Sequence, residues 1–506
     1  MLHPVAIRLD RPAPPAPAPA SPPRRPSRPA SPAARVLLIA VNLAAVTFFL
    51  LSYGRHGVGF GPYRIDLDVY RIGGRVWLRH GDLYGVLPPT SSGAWLPFSY
   101  PPLAAVLLSP LSLAPMDVAG TVLTLASIGL TAVVLRVFLR SAGTGSWWTV
   151  GWLLPAALFL EPVRNTLNYG QVNVLLMALV SVDCLAASVR WPRGMLVGLA
   201  AAVKLTPAAF VLFFLCRGDR RAAGTAAVSF AAFGVAGFPL AWHDSVRYWT
   251  SVVFQTGRPG SPLYAANQSI EAVLARAGLD PGTPAGTATW LALSAVVVVL
   301  AWHGMRRALA WGGDAWALSL NAFAALLISP ISWSHHWVWA EPALLVLAVR
   351  GLRGRPGARA RLAGFAAGLV VFAAAPQWWF PSGGNREAHW AVWEQIIGSS
   401  YVIFAAVVLM TSAGLFGHFR LCRHFRLFRR FRRPRPLLDA GREQVDDLGD
   451  ARRAQVGAPF GRVDPAEVGL AVELGQRVEE RRGGRVRLER GGDVVGKIAA
   501  LRPFRG

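Results

Sequence analysis

Long apolar segments recur along most of the chain, and they constrain its fold more than any other feature. Hydrophobic residues make up 53% of the 506 residues and charged residues only 16%. A membrane-spanning helix needs roughly 20 apolar residues, and residues 36–53 approach that length with no charge inside. Further apolar segments lie at residues 101–115, 118–139, 146–160, 170–188, 194–203, 207–216, 222–241, 286–305, 314–329, 337–349, 362–379 and 396–416. The sequence predicts an all-α polytopic membrane protein with about twelve transmembrane helices.

The distribution of charge predicts how the chain is oriented. The net charge is +25 and comes almost wholly from arginine, since lysine occurs only at Lys204 and Lys497. Arginines cluster between apolar segments and in the tails, which suits the positive-inside rule and attraction to anionic membrane lipids better than nucleic-acid binding. We expect a multi-pass protein of the cytoplasmic membrane with both termini cytoplasmic and no nucleic-acid partner. The loops predicted to lie outside are residues 54–100, 161–169, 243–285, 330–337 and 380–395.

Composition divides the chain into four regions. Residues 1–35 are rich in proline, alanine and arginine and are predicted to be a disordered cytoplasmic tail. Residues 36–416 form the membrane domain. Residues 417–436 alternate phenylalanine with arginine, which suits a basic amphipathic segment on the inner leaflet. Residues 437–506 are polar and weakly periodic, and we predict a second disordered cytoplasmic tail.

Two carboxylates, Asp66 and Asp68, follow the first membrane segment in a loop predicted to lie outside, with Tyr70 close behind. Acids in a solvated loop are often incidental. A position at the membrane surface favours chemistry instead, because a carboxylate there can deprotonate an acceptor hydroxyl as a general base. Asp66 and Asp68 are therefore candidate active-site residues.

Other polar residues are predicted to converge on the same side of the membrane. Lys204 is the only lysine in the apolar region; an ionisable group there suggests phosphate binding, with snorkelling to the interface as the structural alternative. His335 and His336 are expected to hydrogen-bond phosphate or sugar. No third ligand at a suitable spacing supports a zinc site. Weaker candidates, which bind sugar or merely bridge helices, are Tyr100, Gln171, Asn173, Asn267 and Gln268.

Seven motifs, taken in order, resemble glycosyltransferase family 87. Members of this family include polyprenol-phosphate-mannose-dependent α-1,2-mannosyltransferases of envelope glycolipid synthesis. The resemblance spans about residues 36–416 and leaves out both tails. The motifs are Asp66-Leu67-Asp68-Val69-Tyr70, Gly81-Asp82-Leu83-Tyr84, Phe98-Ser99-Tyr100-Pro101-Pro102, Gly170-Gln171-Val172-Asn173, Lys204-Leu205-Thr206-Pro207, Asn267-Gln268-Ser269 and Ser329-Pro330-Ile331-Ser332-Trp333-Ser334-His335-His336.

The resemblance implies a GT-C fold with a helical first outer loop. It also implies an inverting transfer, in which a β-linked polyprenol-phosphate-mannose donor gives an α-mannoside on a glycolipid acceptor. Asp66 would be the general base, and the donor phosphate and sugar would be bound by Lys204, His335, His336, Asp68 and Tyr70. Because the leaving group is a lipid monophosphate, protein cations can neutralise it, so no metal or other cofactor is expected.

Other functions fit parts of the sequence. The transferred sugar could be a pentose such as arabinofuranose, since the residues do not choose between sugars. A transporter or flippase of lipid-linked sugars usually carries ionisable groups near the bilayer midplane and often has inverted repeats. Here the polar residues gather on one face and no convincing repeat is found. A non-catalytic scaffold of envelope assembly would not require Asp66.

Overall fold

The structure, a computed structural model, describes residues 31–51, 63–255, 257–258, 260–354 and 357–415. The predicted segments 417–436 and 437–506, and most of the tail 1–35, lie outside the described residues. The α-helices are α1 Pro32–Leu51, α2 Ile65–Leu78, α3 Pro102–Leu108, α4 Pro110–Leu113, α5 Met116–Ser141, α6 Trp147–Phe159, α7 Glu161–Tyr169, α8 Asn173–Leu185, α9 Met195–Val203, α10 Val211–Arg217, α11 Arg220–Leu240, α12 Trp242–Thr250, α13 Ile270–Arg276, α14 Pro284–Ala310, α15 Asp314–Ile328, α16 Ala340–Leu352, α17 Ala358–Ala374, α18 Val392–Gly398 and α19 Ser400–Ala413. Short 3₁₀ helices lie at Thr206–Phe210, Val252–Phe254, Ser334–Trp339, Pro376–Trp378 and Arg386–His389.

Five helices are long and apolar enough to cross a membrane: α1, α5, α11, α14 and the segment that begins with α17. The pair α18 and α19, bent by 66°, makes a sixth if it counts as one span. Shorter apolar helices, including α6, α8 and α15, lie among them. The predicted all-α, multi-pass membrane architecture is confirmed for the described residues, whereas the expected number of about twelve crossings stays a prediction.

The first predicted outer loop contains a helix, as expected. Helix α2 carries Asp66 and Asp68 in its first turn, and its following residues from Leu67 to Gly74 are buried. Gly73 and Gly74 let other chain segments approach α2 closely, since a Cβ at Gly74 would lie 2.9 Å from the backbone of Ser109. The loop is therefore packed into the protein, and the first turn of α2 is held in a fixed place.

The predicted break near Lys204 is also present. Helix α9 ends at Val203, and a 3₁₀ helix begins at Thr206 before the chain continues into α10. The start of α9 is anchored by the Asp183 carboxylate, which accepts hydrogen bonds from the backbone N–H of Gly194 and Val197, each at 3.0 Å. At Gly198, a Cβ would lie 2.5 Å from the backbone oxygen of Ala226 in α11. Small residues thus let α9 pack tightly, which places Lys204 at its end.

The segment from Ser329 to His336 is irregular in its first half, so its backbone polar groups need partners outside a helix. Asn267 supplies two: its Oδ1 accepts from Ser332 N at 2.9 Å, and its Nδ2 donates to Pro330 O at 3.2 Å. Gln268 N donates to Ser332 O at 2.8 Å. Asn267 and Trp333 form an isolated antiparallel bridge, and the described ranges contain no β-strand.

Candidate active site

A cavity of about 300 Å³ lies where the first turn of α2, the segment before α3, the break after α9 and the Ser334–Trp339 turn meet. Another part of its wall is formed by Tyr248, Val252, Val253, Gln255 and Arg258. The structure brings six of the predicted site residues to this cavity. They are Asp66, Tyr70, Tyr100, Gln171, Lys204 and His336.

Asp66 lies in the first turn of α2 and is half-buried. Burial raises the pKa of its carboxyl group to about 6, against the lowering effects of hydrogen bonding with Gln171 and of the positive charge on Lys204. A carboxylate with such a pKa is ionised at neutral pH yet more basic than an exposed aspartate. This is the property that a general base needs.

Lys204 occupies the break after α9 and faces the cavity. Its Nζ lies 3.0 Å from Asn173 Oδ1 and 3.2 Å from His336 Nε2, and 5.3 Å above the ring of Tyr100. An ammonium group can only donate, so the protonated lysine requires His336 Nε2 to accept. The result is a cation held by an amide, an imidazole and an aromatic face, with Asp66 as the nearby carboxylate that acts on it electrostatically.

Three neutral side chains link the two sides of the cavity. Tyr70 Oη donates to Gln171 Oε1 at 2.6 Å, and Tyr100 Oη lies 3.0 Å from Tyr70 Oη and 3.3 Å from Gln171 Oε1. Tyr70 is fully buried. Tyr70, Tyr100 and Gln171 are therefore bonded to one another beside Asp66, in addition to lining the cavity as predicted for substrate-binding groups.

Adjacent histidines take different positions. His336 lines the cavity, whereas His335 is buried beneath it, with its ring 5.1 Å from that of Tyr169. The His335 carbonyl accepts from Thr166 Oγ1 and Asn173 Nδ2, both at 2.8 Å. Within the described part of the chain, neither ring nitrogen of His335 has a hydrogen-bond partner. The structure thus brings His336, and not His335, to the cavity.

Asp68 lies away from the cavity wall. Its Oδ2 accepts from Ser91 N at 2.7 Å and Ser91 Oγ at 2.8 Å, and its Oδ1 lies 3.9 Å from Arg75 Nη2. The side chain is buried. The structure therefore does not bring Asp68 to the site predicted for the donor, and its contacts tie the loop around Ser91 to α2.

Asn267 and Gln268 are also fully buried, outside the cavity. Besides pairing with Ser332, Gln268 donates from Nε2 to Gly398 O at 2.7 Å. These amides connect the irregular Ser329–His336 segment to the rest of the fold. Their observed contacts are those of supports for His336 and do not place them against a sugar.

A smaller, mostly apolar cavity of about 50 Å³ adjoins the first. Both cavities are lined by Lys204, Thr206, Ser329 and His336. The smaller one runs between α8, α15 and the two neighbouring 3₁₀ helices, and its apolar wall includes Leu176, Met177, Phe210, Leu326 and Trp339. Lys204 and His336 thus stand between a partly polar space and an apolar one.

Comparison with known proteins decides the family. The glycosyltransferase family 87 model matches residues 98–330. A polyprenol-phosphate-mannose-dependent alpha-(1-2)-phosphatidylinositol mannoside mannosyltransferase of Mycobacterium tuberculosis is 42% identical over 373 residues, covering 71% of this chain and 86% of the relative. The chain belongs to glycosyltransferase family 87. The predicted resemblance is confirmed, and the chain is a glycosyltransferase.

A second curated protein and a solved structure are also similar to this chain. The Mycolicibacterium smegmatis protein of the same name is 41% identical over 390 residues, with the same coverage of 71% and 86%. Among solved structures, ArnT from Cupriavidus metallidurans bound to undecaprenyl phosphate is similar with a TM-score of 0.35 and 17% identity, over 76% of this chain and 78% of that one.

One charged residue that lines the cavity, Arg258, was not among the predicted site residues. Arg258 lines the cavity, donates from Nε to Phe98 O at 3.2 Å and from Nη2 to Tyr84 O at 3.0 Å, and lies 5.8 Å from the centre of the Tyr84 ring. An arginine in a loop predicted to lie outside departs from the positive-inside rule. The same loop also contains Arg247 and Arg276, so this departure alone does not single out Arg258 in the sequence.

The described residues contain no group of three or more histidine, cysteine, aspartate or glutamate side chains arranged to hold a metal ion. The expectation that the enzyme needs no metal stays a prediction. The basic side chains that line the cavity are Lys204, His336 and Arg258.

Proposed function

We propose that this family 87 glycosyltransferase transfers mannose from polyprenol-phosphate-mannose to a hydroxyl of a phosphatidylinositol mannoside, forming an α-1,2 linkage. The observation that carries the proposal is a base and a cation facing one cavity: Asp66 on one side and Lys204 with His336 on the other. The names of the two mycobacterial relatives supply the donor and the acceptor class.

In this mechanism Asp66 takes the proton of the acceptor hydroxyl as the oxygen attacks the anomeric carbon. The new bond forms from oxygen to carbon while the bond from that carbon to the phosphate oxygen breaks, with inversion from β to α. Polyprenyl phosphate leaves with an added negative charge. Lys204 and His336 stabilise that charge, because a fixed cation and hydrogen-bond donors act strongly where water is largely excluded.

The two adjoining cavities suit an amphiphilic donor. A polyprenol-phosphate sugar carries its phosphate between an apolar chain and a polar sugar. With the phosphate at Lys204 and His336, the mannose extends into the larger cavity towards Asp66, and the first part of the polyprenyl chain enters the smaller apolar cavity. The acceptor then approaches from the remaining side of the larger cavity, where Arg258 lies.

The experiment that tests the proposed function is a transfer assay with purified protein in lipid nanodiscs. We expect transfer from labelled polyprenol-phosphate-mannose, no transfer from a nucleotide-linked mannose, and a product that an α-1,2-mannosidase cleaves. Preferred transfer from polyprenol-phosphate-arabinose would contradict the choice of mannose. Movement of labelled donor across vesicles without any transfer would contradict the glycosyltransferase reaction in favour of a flippase.

The dependence of mannosyl transfer on pH should report the ionisation of Asp66. An aspartate acts as a base only when it is deprotonated, so with a pKa of about 6 the ratio kcat/KM is expected to be half its maximum near pH 6 and to level off about one pH unit higher, up to the pH at which Lys204 loses its proton. It should fall about tenfold for each pH unit once the pH is about one unit below the pKa. The measurement is kcat/KM against pH for the wild-type protein. A fall that begins only near the pKa of an exposed aspartate, about 4, would contradict a buried base.

The proposal also places the cavity on the extracytoplasmic face of the cytoplasmic membrane. In a cysteine-free background, we expect Val86→Cys to react with an impermeant maleimide in intact cells, and Trp311→Cys to react only after the cells are opened. Both side chains are highly exposed, at 91% and 83%, so reactivity reports the side of the membrane rather than burial. Labelling of Trp311→Cys alone in intact cells would reverse the orientation.

A further inference from the structure

We infer that Gln171 is a positioning residue for Asp66, and that Tyr70 and Tyr100 fix the orientation of its amide so that the nitrogen faces the base. This inference rests on the proposed function, since it gives Gln171 a role in keeping Asp66 ready to accept a proton. It assigns Tyr70, Tyr100 and Gln171 to the support of the base rather than to sugar binding alone.

The hydrogen bonds of the amide carry the inference. The oxygen of a glutamine side chain only accepts, and its nitrogen only donates. Gln171 Oε1 receives the Tyr70 hydroxyl at 2.6 Å and has the Tyr100 hydroxyl at 3.3 Å. With the oxygen occupied by the tyrosines, the nitrogen is left to donate on the other side of the amide, and Gln171 and Asp66 line the same cavity. The lowering effect of Gln171 on the pKa of Asp66 agrees with a donor that faces the carboxylate.

The backbone around Gln171 explains how it reaches Asp66. Helix α7 ends at Tyr169 and is capped by Gly170, which has a left-handed φ of 70°, and Gln171 N then donates to Thr166 O at 2.9 Å. A Cβ at Gly170 would lie 2.7 Å from Leu67 Cβ, so only glycine allows the end of α7 to approach the first turn of α2 this closely. Gln171 is thereby brought directly beside the turn that contains Asp66.

This arrangement solves a problem that a buried base has. Removing a carboxylate from water favours its protonated form, and a protonated Asp66 cannot accept the acceptor proton. A donor held by two phenols, one of them fully buried, favours the ionised form of the carboxylate. Water could supply such a donor but would not be held in place by the fold.

Charged groups near Asp66 also affect its pKa, so a test based on pH must leave them unchanged. Lys204 acts on Asp66 by charge attraction, and His336 and Arg258 line the same cavity. The helices α3 and α4, which pack against α2, bring no ionisable side chain. Helix α7 also packs against α2 and carries the ionisable side chains Glu161, Arg164 and Tyr169. The other ionisable side chains on α2 are Asp68, Tyr70, Arg71 and Arg75. None of these is altered by exchanging Gln171 for an uncharged residue.

The test compares the pH profiles of kcat/KM for the wild-type protein, Gln171→Met and the double variant Tyr70→Phe/Tyr100→Phe, each in nanodiscs with polyprenol-phosphate-mannose. Methionine keeps the approximate volume of glutamine but removes the donor. Losing a hydrogen bond to a carboxylate should move the acid limb to higher pH by about one to two pH units in Gln171→Met. The double variant should move it in the same direction, because the amide is then free to turn.

Asn267→Ala is the control. It removes a buried amide that supports the Ser329–His336 segment without contact to Asp66, so it should lower the amount of active protein while leaving the acid limb in place. If Gln171→Met and the double variant are active and their acid limbs coincide with that of the wild type, the inference is overturned and the proposed function stays intact. Absence of mannosyl transfer by the wild type would instead overturn the proposed function, and the inference with it.

Discussion

Replacing Asp66 with asparagine is expected to lower kcat for mannosyl transfer by about 100- to 10,000-fold, with a much smaller change in the KM for the donor. Asparagine has nearly the same shape, so the cavity and the tyrosine–glutamine contacts should persist. What is lost is a group that can accept a proton. The measurement is steady-state transfer from labelled polyprenol-phosphate-mannose to a phosphatidylinositol mannoside.

Asp68→Asn is the matched control for this variant, because it makes the same chemical change two residues further along α2. Asp68 accepts two hydrogen bonds from Ser91 and lies outside the cavity wall. Its replacement should lower thermal stability and reduce kcat less than tenfold, a limit of about 1.4 kcal/mol in activation free energy. Full activity of Asp66→Asn, or an equal loss of kcat in the two variants, would contradict Asp66 as the base.

Hydropathy predicted the long helices, whereas the predicted number of about twelve crossings depends on the short apolar helices and stays a prediction. Helices α6 and α8 have 13 residues each and α15 has 15, all shorter than the roughly 20 that a straight span needs. Whether such a helix crosses the membrane depends on its tilt and on the helices that cover its ends. The tilt and the covering helices depend on packing between segments, which cannot be predicted from the periodicity of one segment.

Residues of the active-site cluster could be predicted where an ionisable side chain lies in or next to an apolar segment. A lysine inside an apolar stretch and an acid at the membrane surface both require an explanation, and the structure brings Lys204 and Asp66 to one cavity. The two histidines could not be separated in this way. They lie in a 3₁₀ helix with about three residues per turn, so adjacent side chains point roughly 120° apart. One faces the cavity and the other is buried.

Asn267 and Gln268, in the third of the loops predicted to lie outside, show a different limit of prediction from the sequence. Asn267 and Gln268 resemble sugar-binding groups in composition and position, yet they are buried against the backbone near Ser332. The need for these partners arises because the segment after Ser329 is not helical and leaves its backbone groups unpaired. Neither that irregular backbone nor its distance from Asn267 is visible in a single sequence.

Replacing Lys204 with methionine is the second variant for which we expect a large effect. Methionine retains much of the length and apolar volume of lysine, so the break after α9 should keep its packing while the cation disappears. The leaving phosphate gains negative charge as its bond to the sugar breaks. The ammonium group of Lys204, which lies beside His336, is positioned to stabilise that charge. Removing such a group is expected to lower kcat by about 100- to 1,000-fold, the range found for fixed electrostatic groups.

Arg258→Met is the control for Lys204→Met. It tests whether the position of the Lys204 charge matters or whether any positive charge in the cavity is enough. It removes a charge from the same cavity, but that guanidinium is already bonded to the Phe98 and Tyr84 carbonyls. It should therefore change kcat far less than Lys204→Met does. Lys204→Arg tests geometry: a larger, planar guanidinium keeps the charge but does not fit the site between Asn173 and His336, so we expect only partial recovery. Equal losses for Lys204→Met and Arg258→Met would mean that the summed charge of the cavity, and not the position of Lys204, stabilises the leaving phosphate.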